Sequence, residues 1–192
     1  VAPECPNFGR CGGCDYLGIR YEHELEIKRT ILLESIARIG GIRCDAMDQV
    51  MTIEGPRFGY RSHATVKFDE GNTGLFAGGT SSLVPFPSSG CQLASEGINE
   101  GLRAIPPPGK GEFRIAEDAT GRVFRSYEAD TTLEEKEAGL VYRRHLSGFF
   151  QANRFLREKM LLAVGDFAGL EPGMGFLDLG CGSGFFTLHL GR

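Results

Sequence analysis

Three thiols stand close together in Cys5-Pro-Asn-Phe-Gly-Arg-Cys11-Gly-Gly-Cys14, and a fourth, Cys91, arrives from far along the chain. Thiolates packed this way repel one another unless a soft cation or an iron–sulfur core neutralises them, so the group points to a metal centre. Structural zinc sites usually pair two C-x2-4-C knuckles. Here a five-residue gap precedes one C-x2-C and the last cysteine is isolated. That spacing favours a cubane cluster, with zinc, or free or disulfide-bonded thiols, open as alternatives. A radical enzyme built on S-adenosylmethionine and iron–sulfur would want C-x3-C-x2-C, which the gap after Cys5 disfavours.

A second candidate lies near the other end, in Leu177-Asp178-Leu179-Gly180-Cys181-Gly182-Ser183-Gly184. An acidic residue at the end of an apolar segment leads into glycines at alternate positions and then a helical run from Phe185 or Phe186. Glycines let backbone pass close to a ligand at positive φ, and the following helix start favours anionic or polar groups. A dinucleotide site would want G-x-G-x-x-G, but Phe185 occupies the sixth position. Gly-x-Gly-x-Gly after an acidic strand end resembles the first motif of class I S-adenosylmethionine methyltransferases; a different nucleotide fold or a plain tight turn would also accommodate it. Cys181 inside the turn reads as a small packing residue.

The elements that would carry these groups follow from periodicity. Residues 21–39 place Leu25, Leu32, Ile36 and Ile39 at helical spacing, with Glu22, Glu24 and Glu26 early and Gly40-Gly41 behind, which predicts an amphipathic helix. Between Val50 and about Arg125, short β-branched and aromatic runs (64–68, 73–76, 122–124) alternate with Gly, Asn, Pro and Ser clusters, predicting an antiparallel sheet with hairpins. Residues 104–111, with three consecutive prolines, read as a surface loop, and the acidic stretch 128–139 as a solvated connector. A strand is expected at 140–143. Asn153 is expected to cap a helix with apolar face Leu156, Met160, Ala163 and Phe167, and 175–179 to form a buried strand. The fold class expected is therefore α+β with an antiparallel sheet, followed by the start of a Rossmann-like α/β unit. The junction is placed between residues 139 and 140, within a window from Glu128 to Phe149.

At 192 residues with 41% hydrophobic side chains, the chain can bury one full core and part of another. Six cysteines are too sparse for a secreted disulfide scaffold and fit a reducing cytoplasm. No apolar run approaches the roughly 20 residues a membrane helix needs, and no signal-peptide pattern opens the chain. The net charge of -4 argues against coating nucleic acid by bulk charge while leaving room for a local basic groove. Starting at Val1 and stopping at Arg192 inside a helical run, the sequence reads as a fragment.

Taken together, the cysteine turn and the glycine turn resemble the RNA 5-methyluridine (uracil-C5) methyltransferases. The resemblance runs through Cys11-Gly-Gly-Cys14 into residues 21–29 (YEHELEIKR), Tyr60-Arg61 opening a strand, Cys91, and Ser147-Gly-Phe-Phe-Gln-Ala-Asn153 ahead of Asp178. It implies that Cys5, Cys11, Cys14 and Cys91 hold a [4Fe-4S] cluster in a domain that helps bind RNA, leaving Cys44 a structural thiol. It implies too that Gln151, Asp178, Gly180, Gly182, Gly184 and Phe185 surround S-adenosylmethionine, with contacts at 180 and 185 running through backbone. An amide capping the next helix is the plainer reading of Gln151.

The chemistry implied is methyl transfer to C5 of uridine in rRNA or tRNA. Uracil C5 is too poor a nucleophile to attack a methylsulfonium unaided, so a cysteine adds at C6 first, and a carboxylate later removes the C5 proton. Neither role is assigned to Cys44 or Cys181. The nucleophile and base are expected beyond Arg192 and the chain alone is expected to be inactive. For RNA, Arg57, Arg61, His63 and Lys67 alternate around Tyr60, offering phosphate contacts and, with Phe58, stacking faces; a solvated strand face is the plainer alternative. Arg143, Arg144 and His145 form a second basic spot. The competing function is a non-catalytic four-cysteine zinc or iron–sulfur module that binds RNA. An uncovered strand near 176–179 would favour self-association.

Overall fold

The computed structural model describes residues 2–42, 50–128 and 131–192; Cys44 lies outside them. Helix α1 spans Tyr21–Gly40, with Glu22 and Glu24 at its positive end and Arg38 in its last turn. Gly41 ends it at φ 65°, its N–H donating to the carbonyl of Ile36. The expected apolar stripe is not what α1 buries. Leu33 and Glu24 are its buried residues, while Ile31, Leu32 and Ile39 are exposed. The helix is held by its polar grip at Glu24, which meets Lys28 at 2.6 Å and Arg57 at 3.2 Å, rather than by a continuous apolar seam.

Five strands form one antiparallel sheet: β1 (His63–Asp69), β2 (Asn72–Phe76), β3 (Leu83–Pro85), β4 (Lys110–Glu117) and β5 (Val123–Arg125), in the order β3-β2-β1-β4-β5. Strand alternation sends Val66 and Phe68 of β1 and Phe113 and Ile115 of β4 into one core, sealed by Ile98 of α2 (Glu96–Leu102). Ser95 caps α2, its hydroxyl accepting from the Ile98 N–H at 3.3 Å. The expected loop at 104–111 is shorter than read, because Lys110 and Gly111 already pair with Asp69 and Phe68. Helix α2, only seven residues long, was not expected.

The acidic stretch before Gly139 is not a solvated connector. Strand β6 (Thr132–Glu137) pairs with β7 (Leu140–His145), and both Leu133 and Glu135 are fully buried. Alternation puts those two on one face, where arginines neutralise Glu135. Ala138 and Gly139 make the hairpin tip with φ of 49° and 78°, matching the twist such two-residue turns need. The junction expected at 139/140 falls on this tip.

Helix α3 (Arg157–Ala168) starts later than expected. Asn153 Oδ1 accepts from the Phe155 N–H at 3.1 Å, so it shapes a turn ahead of α3 instead of capping it. Leu161 and Arg157 are the buried residues of α3, and Phe167 is 82% exposed. Helix α4 (Phe185–Leu190) packs Phe185 against Tyr142, Phe150 and Leu161 in a second core. Residues 175–179 form no buried strand: Leu177 and Leu179 are 80% and 85% exposed, and among the described residues no strand pairs with them. A strand of a parallel sheet needs neighbours on both sides to bury such a run.

Candidate functional site

Cys5, Cys11, Cys14 and Cys91 line a single small pocket, with Phe8, Leu17, Leu75, Phe86 and Arg61 completing its wall. All four are free thiols. The first three are drawn together by a compact turn in which the Phe8 N–H donates to Cys5 O at 3.1 Å and the Cys11 N–H to Asn7 O at 2.9 Å. Glycine is required between Cys11 and Cys14 because the turn lies flat against β2. The Gly12 N–H reaches Phe76 O at 2.9 Å, and a Cβ at Gly12 would come within 2.9 Å of that same backbone oxygen.

Cys91 is delivered by α2. Asn99 accepts the Cys91 N–H at 2.8 Å and returns donors to the carbonyls of Cys91 (3.0 Å) and Ala94 (3.3 Å). One side chain thus fixes the loop carrying the distant thiol. Burial, and next the nearby Cys91, Cys11 and Cys5, push the Cys14 thiol up to about 11. Burial also raises Cys11, opposed by the Gly13 N–H. These thiols keep their protons until a cation displaces them, which is how a buried thiolate site couples metal uptake to proton release. Among the described residues, no group of three or more His, Cys, Asp or Glu is arranged to hold one metal ion. The donor set itself, four free thiols in a mostly apolar pocket, suits a sulfur-ligated centre.

Residues 59–62 run between this pocket and the Phe149–Asn153 loop. On one side the Gly59 and Arg61 N–H groups donate to Gln92 O (2.9 Å) and Leu93 O (2.8 Å), and Ser95 returns its N–H to Arg61 O at 3.0 Å. On the other, Ser62 N–H donates to Ala152 O and Arg154 N–H to Tyr60 O, each at 3.0 Å. Arg157 completes the grip, its Nε donating to Gln151 O at 2.7 Å and its Nη2 to Ser62 Oγ. In the loop itself Phe149 is 73% exposed, while Phe150 is fully buried between the Arg144 and Arg157 guanidinium groups at 5.1 and 4.8 Å.

The glycine turn has the backbone expected of a ligand cradle: Gly180, Gly182 and Gly184 take φ of 81°, 56° and 72°. No atom comes within 4 Å of a Cβ placed at Gly180, so the turn is open there. Asp178 Oδ2 accepts from Thr187 Oγ1 at 2.6 Å, tying the apolar segment to α4. Phe185, expected beside a cofactor through its backbone, turns its side chain inward. Its ring is 5% exposed in the second core, and its carbonyl takes the Tyr142 hydroxyl at 3.1 Å.

The residues expected to meet RNA are divided. The Arg57 guanidinium donates to the Tyr16 and Ile19 carbonyls at 2.9 and 2.8 Å and pairs with Glu24, so it braces the cysteine turn against α1. His63 is drawn down to about 4, first by burial and then by Arg144, Arg157, Arg61 and Arg114; it is a neutral ring at neutral pH. Lys67 pairs with Glu112 and lies over the Phe76 ring at 5.1 Å. Tyr60 is half-buried beside a 560 Å³ groove between α1 and residues 50–56. Arg61 turns toward the cysteine pocket.

The second basic spot is dissolved: Arg143 pairs with Glu134 at 3.0 Å, and Arg144 is buried on Glu135 at 2.6 Å. Sequence reading missed the Glu135–Arg144–Arg157 network, in which Glu135 also meets Arg157 at 2.8 Å and Glu137 meets Arg157 at 3.1 Å. Its only trace was the alternation of Leu133 with Glu135, visible once 132–137 is read as a strand.

No family model matches the chain. It is similar over its whole length to the 23S rRNA (uracil(1939)-C(5))-methyltransferase RlmD of Alkalilimnicola ehrlichii, at 27% identity and covering 55% of that protein. An uncharacterized RNA methyltransferase of Aquifex aeolicus is 29% identical over 97% of this chain and 54% of its own length. The chain thus spans about half the length of these curated relatives. Its fold matches the crystal structure of the Pyrococcus abyssi tRNA (uracil-54, C5)-methyltransferase, which was solved with S-adenosyl-L-homocysteine. The TM-score is 0.67 at 18% identity, over 94% of this chain and 56% of that one. These relatives support the resemblance to RNA uracil-C5 methyltransferases, and the structural match establishes a shared mixed α/β fold with an antiparallel sheet.

Proposed function

We propose that this chain is part of an S-adenosylmethionine-dependent RNA methyltransferase that modifies C5 of uridine in rRNA or tRNA. Residues 1–139 form its cluster and RNA-binding part, and 140–192 the start of its catalytic fold. The observation that carries the reading is that the distant Cys91 joins the three N-terminal thiols in lining one pocket, and that this pocket is stitched through residues 59–62 to the Phe149–Asn153 loop. A disulfide scaffold or a plain tight turn accounts for neither.

Cys5, Cys11, Cys14 and Cys91 are the residues to hold a [4Fe-4S] cluster, whose role is structural: it closes a long chain loop and shapes the adjoining surface, since methyl-cation transfer needs no redox step. The methyl donor supplies the electrophilic methyl group when bound. This chain's residues prepare its place: Arg157 fixes the Gln151 backbone, Asp178 anchors the glycine turn to α4, and Gly180, Gly182 and Gly184 leave backbone groups accessible. Phe185 contributes through backbone and core packing. The exposed Phe149 ring offers a stacking face for an unstacked base, and Tyr60, Arg61 and Lys67 border the RNA-facing side. No residue of the chain is assigned as nucleophile or base, and no turnover is expected from it alone. A reducing cytoplasm suits the free thiols; no described helix is long and apolar enough to cross a membrane.

The test is anaerobic purification followed by iron, sulfide and zinc analysis, and titration with uridine-containing rRNA and tRNA fragments and with S-adenosyl-L-homocysteine. Iron and sulfide in equal amounts, with RNA binding, are expected. Zinc in place of iron, with RNA binding and no homocysteine-derivative binding, would turn the assignment to a non-catalytic four-cysteine module. A chain that takes up neither metal nor RNA sinks both.

A further inference from the structure

Arg61 is the residue at which the two candidate sites meet. Its side chain enters the wall of the cysteine pocket. Its Nε is buried with no hydrogen-bond partner among the described residues. A buried guanidinium N–H left unmade costs more than a made hydrogen bond gains, so such a donor points to a missing acceptor. Its pocket holds the polar side chains of Asn7 and Gln92, the Gln92 Oε1 being buried without a partner too, and four sulfurs, which are the acceptors that gain charge and strength once deprotonated.

Its main chain is equally committed. The Arg61 N–H and C=O are both taken by the segment just after Cys91, at 2.8 Å to Leu93 and 3.0 Å from Ser95. Bridge pairings join Arg61 to Ala94 on that side and to Asn153 on the other. Its neighbours Tyr60 and Ser62 bond to Arg154 and Ala152. A shift of Arg61 toward or away from the sulfurs therefore moves the loop that carries Gln151.

We infer that Arg61 is a positioning residue: its Nε–H donates to the thiolate centre, and its backbone transmits the centre's occupancy to the Gln151 loop. This rests on the thiolate-centre reading above. The centre then acts as more than a clasp for the N-terminal turn, because filling it sets the conformation of a loop assigned to the methyl donor. The sulfur-bound state gains a charge-assisted donor, and the loop gains rigidity from a group it never touches.

The experiment uses the whole chain, reconstituted anaerobically with iron and sulfide, in wild-type form and as Arg61→Met and Arg61→Lys. Arg61→Met keeps the stem and removes the donors. It should release iron to a chelator on the order of tenfold faster, as losses of groups that support metal ligands do, and lower the reduction potential, since hydrogen bonds and positive charge at the sulfurs raise it. Arg61→Lys, which keeps the charge without the fork, should fall between. A purely structural role would leave the potential unmoved.

A second readout needs no substitution. Stripping the wild-type centre with chelator should make the Ser62 and Arg154 amides exchange with deuterium about tenfold faster or more. Failure of Arg61→Met to fold leaves this measurement and the lysine variant to decide. Wild-type potential and iron retention in the variants, or unchanged exchange at 62 and 154 on stripping, overturns the assignment of Arg61 alone. Weakened RNA binding with an unaltered centre does so too, and makes Arg61 a phosphate contact. A wild-type chain that binds neither iron nor zinc defeats the thiolate centre itself and this inference with it.

Discussion

The cysteine pocket and the glycine turn carry equally clear motifs, yet the molecule holds them in opposite ways. Around the cysteines, long-range supports dominate: β2 backs the Cys11–Cys14 turn and Arg57 ties the segment after it to α1, while Asn99 fixes the Cys91 loop from nearby. The glycine turn depends on local bonds, Asp178 to Thr187 and Gly184 to Cys181, and presents exposed apolar side chains on its approach. Between them lies the buried network of Glu135, Arg144 and Arg157, which grips the Gln151 loop. The difference teaches that the first site brings its four thiols to one pocket within this chain, although among the described residues they are not grouped to hold a single metal ion. The second has its backbone shape, and among the described residues no strand pairs with the segment leading into it.

Removing a donor from the cysteine pocket tests that contrast most severely. Cys14→Ser should abolish the visible absorbance of the iron-loaded chain and leave much of it insoluble, because one thiolate closes the loop between residues 14 and 91. A colourless Cys14→Ser protein with wild-type solubility and melting would defeat the structural role of the centre. The next largest effect belongs to the connecting network. Glu135→Gln leaves buried Arg144 without a carboxylate and Arg157 with Glu137 alone, and should cost about 3–5 kcal/mol in denaturant unfolding. Glu112→Gln breaks only the solvent-screened surface pair with Lys67 and should leave the denaturant midpoint nearly unchanged. Equal effects from the two would mean the Glu135 network is solvated in solution.

How far the sequence spoke also differs between the regions. The strands at 64–68, 73–76 and 140–143 were legible because period-2 alternation is a local property of a half-buried sheet, and the start of α4 followed from the glycines before it. The convergence of Cys91 on the N-terminal thiols was suggested by thiol chemistry and the resemblance rather than by any local pattern, since nothing local records a loop closed over 77 residues (91 − 14). Strand β6 was hidden by its charge. Composition counts Glu135 as solvent-facing, and only the tertiary placement of Arg144 and Arg157 reverses that. Arg57, His63 and Arg144 teach the same lesson: a basic residue looks available in sequence until its partners or its burial are known. Residues 175–179 failed in the other direction, because an apolar run foretells burial that only neighbouring strands can supply.

His63 offers a pH-dependent probe of the same connecting region. Its folded ring titrates at about 4, against an ordinary 6.5, mainly through burial and then through Arg144, Arg157, Arg61 and Arg114. Below about pH 6.5 the unfolded chain takes up a proton that the folded chain refuses. Stability should therefore fall as pH drops from 6.5 toward 4, by at most about 1.4 kcal/mol per unit from this residue. Glu137, raised first by burial, works in the opposite sense, since the folded chain accepts its proton early on acidification. The difference between wild type and His63→Gln isolates the histidine: the variant should unfold with a shallower loss between pH 6.5 and 4. Parallel curves would place His63 in solvent.

The smallest effect on stability should come from the approach to the glycine turn, and there its smallness is the informative result. Leu177 and Leu179 bury little, so replacing both with lysine should change unfolding free energy by no more than about 0.5 kcal/mol per position. The same change should alter association. Wild-type chain, with Phe176, Leu177 and Leu179 forming an exposed apolar run and no paired strand beside it among the described residues, should self-associate with rising concentration in sedimentation experiments. The double variant should sediment as a monomer. A marked loss of stability would mean these leucines are packed in solution, and the glycine turn would then be as fully supported as the cysteine pocket. A wild type that stays monomeric throughout removes self-association and leaves the run to be covered by something else. Either result would redraw the contrast between the two ends from the side where sequence reading erred.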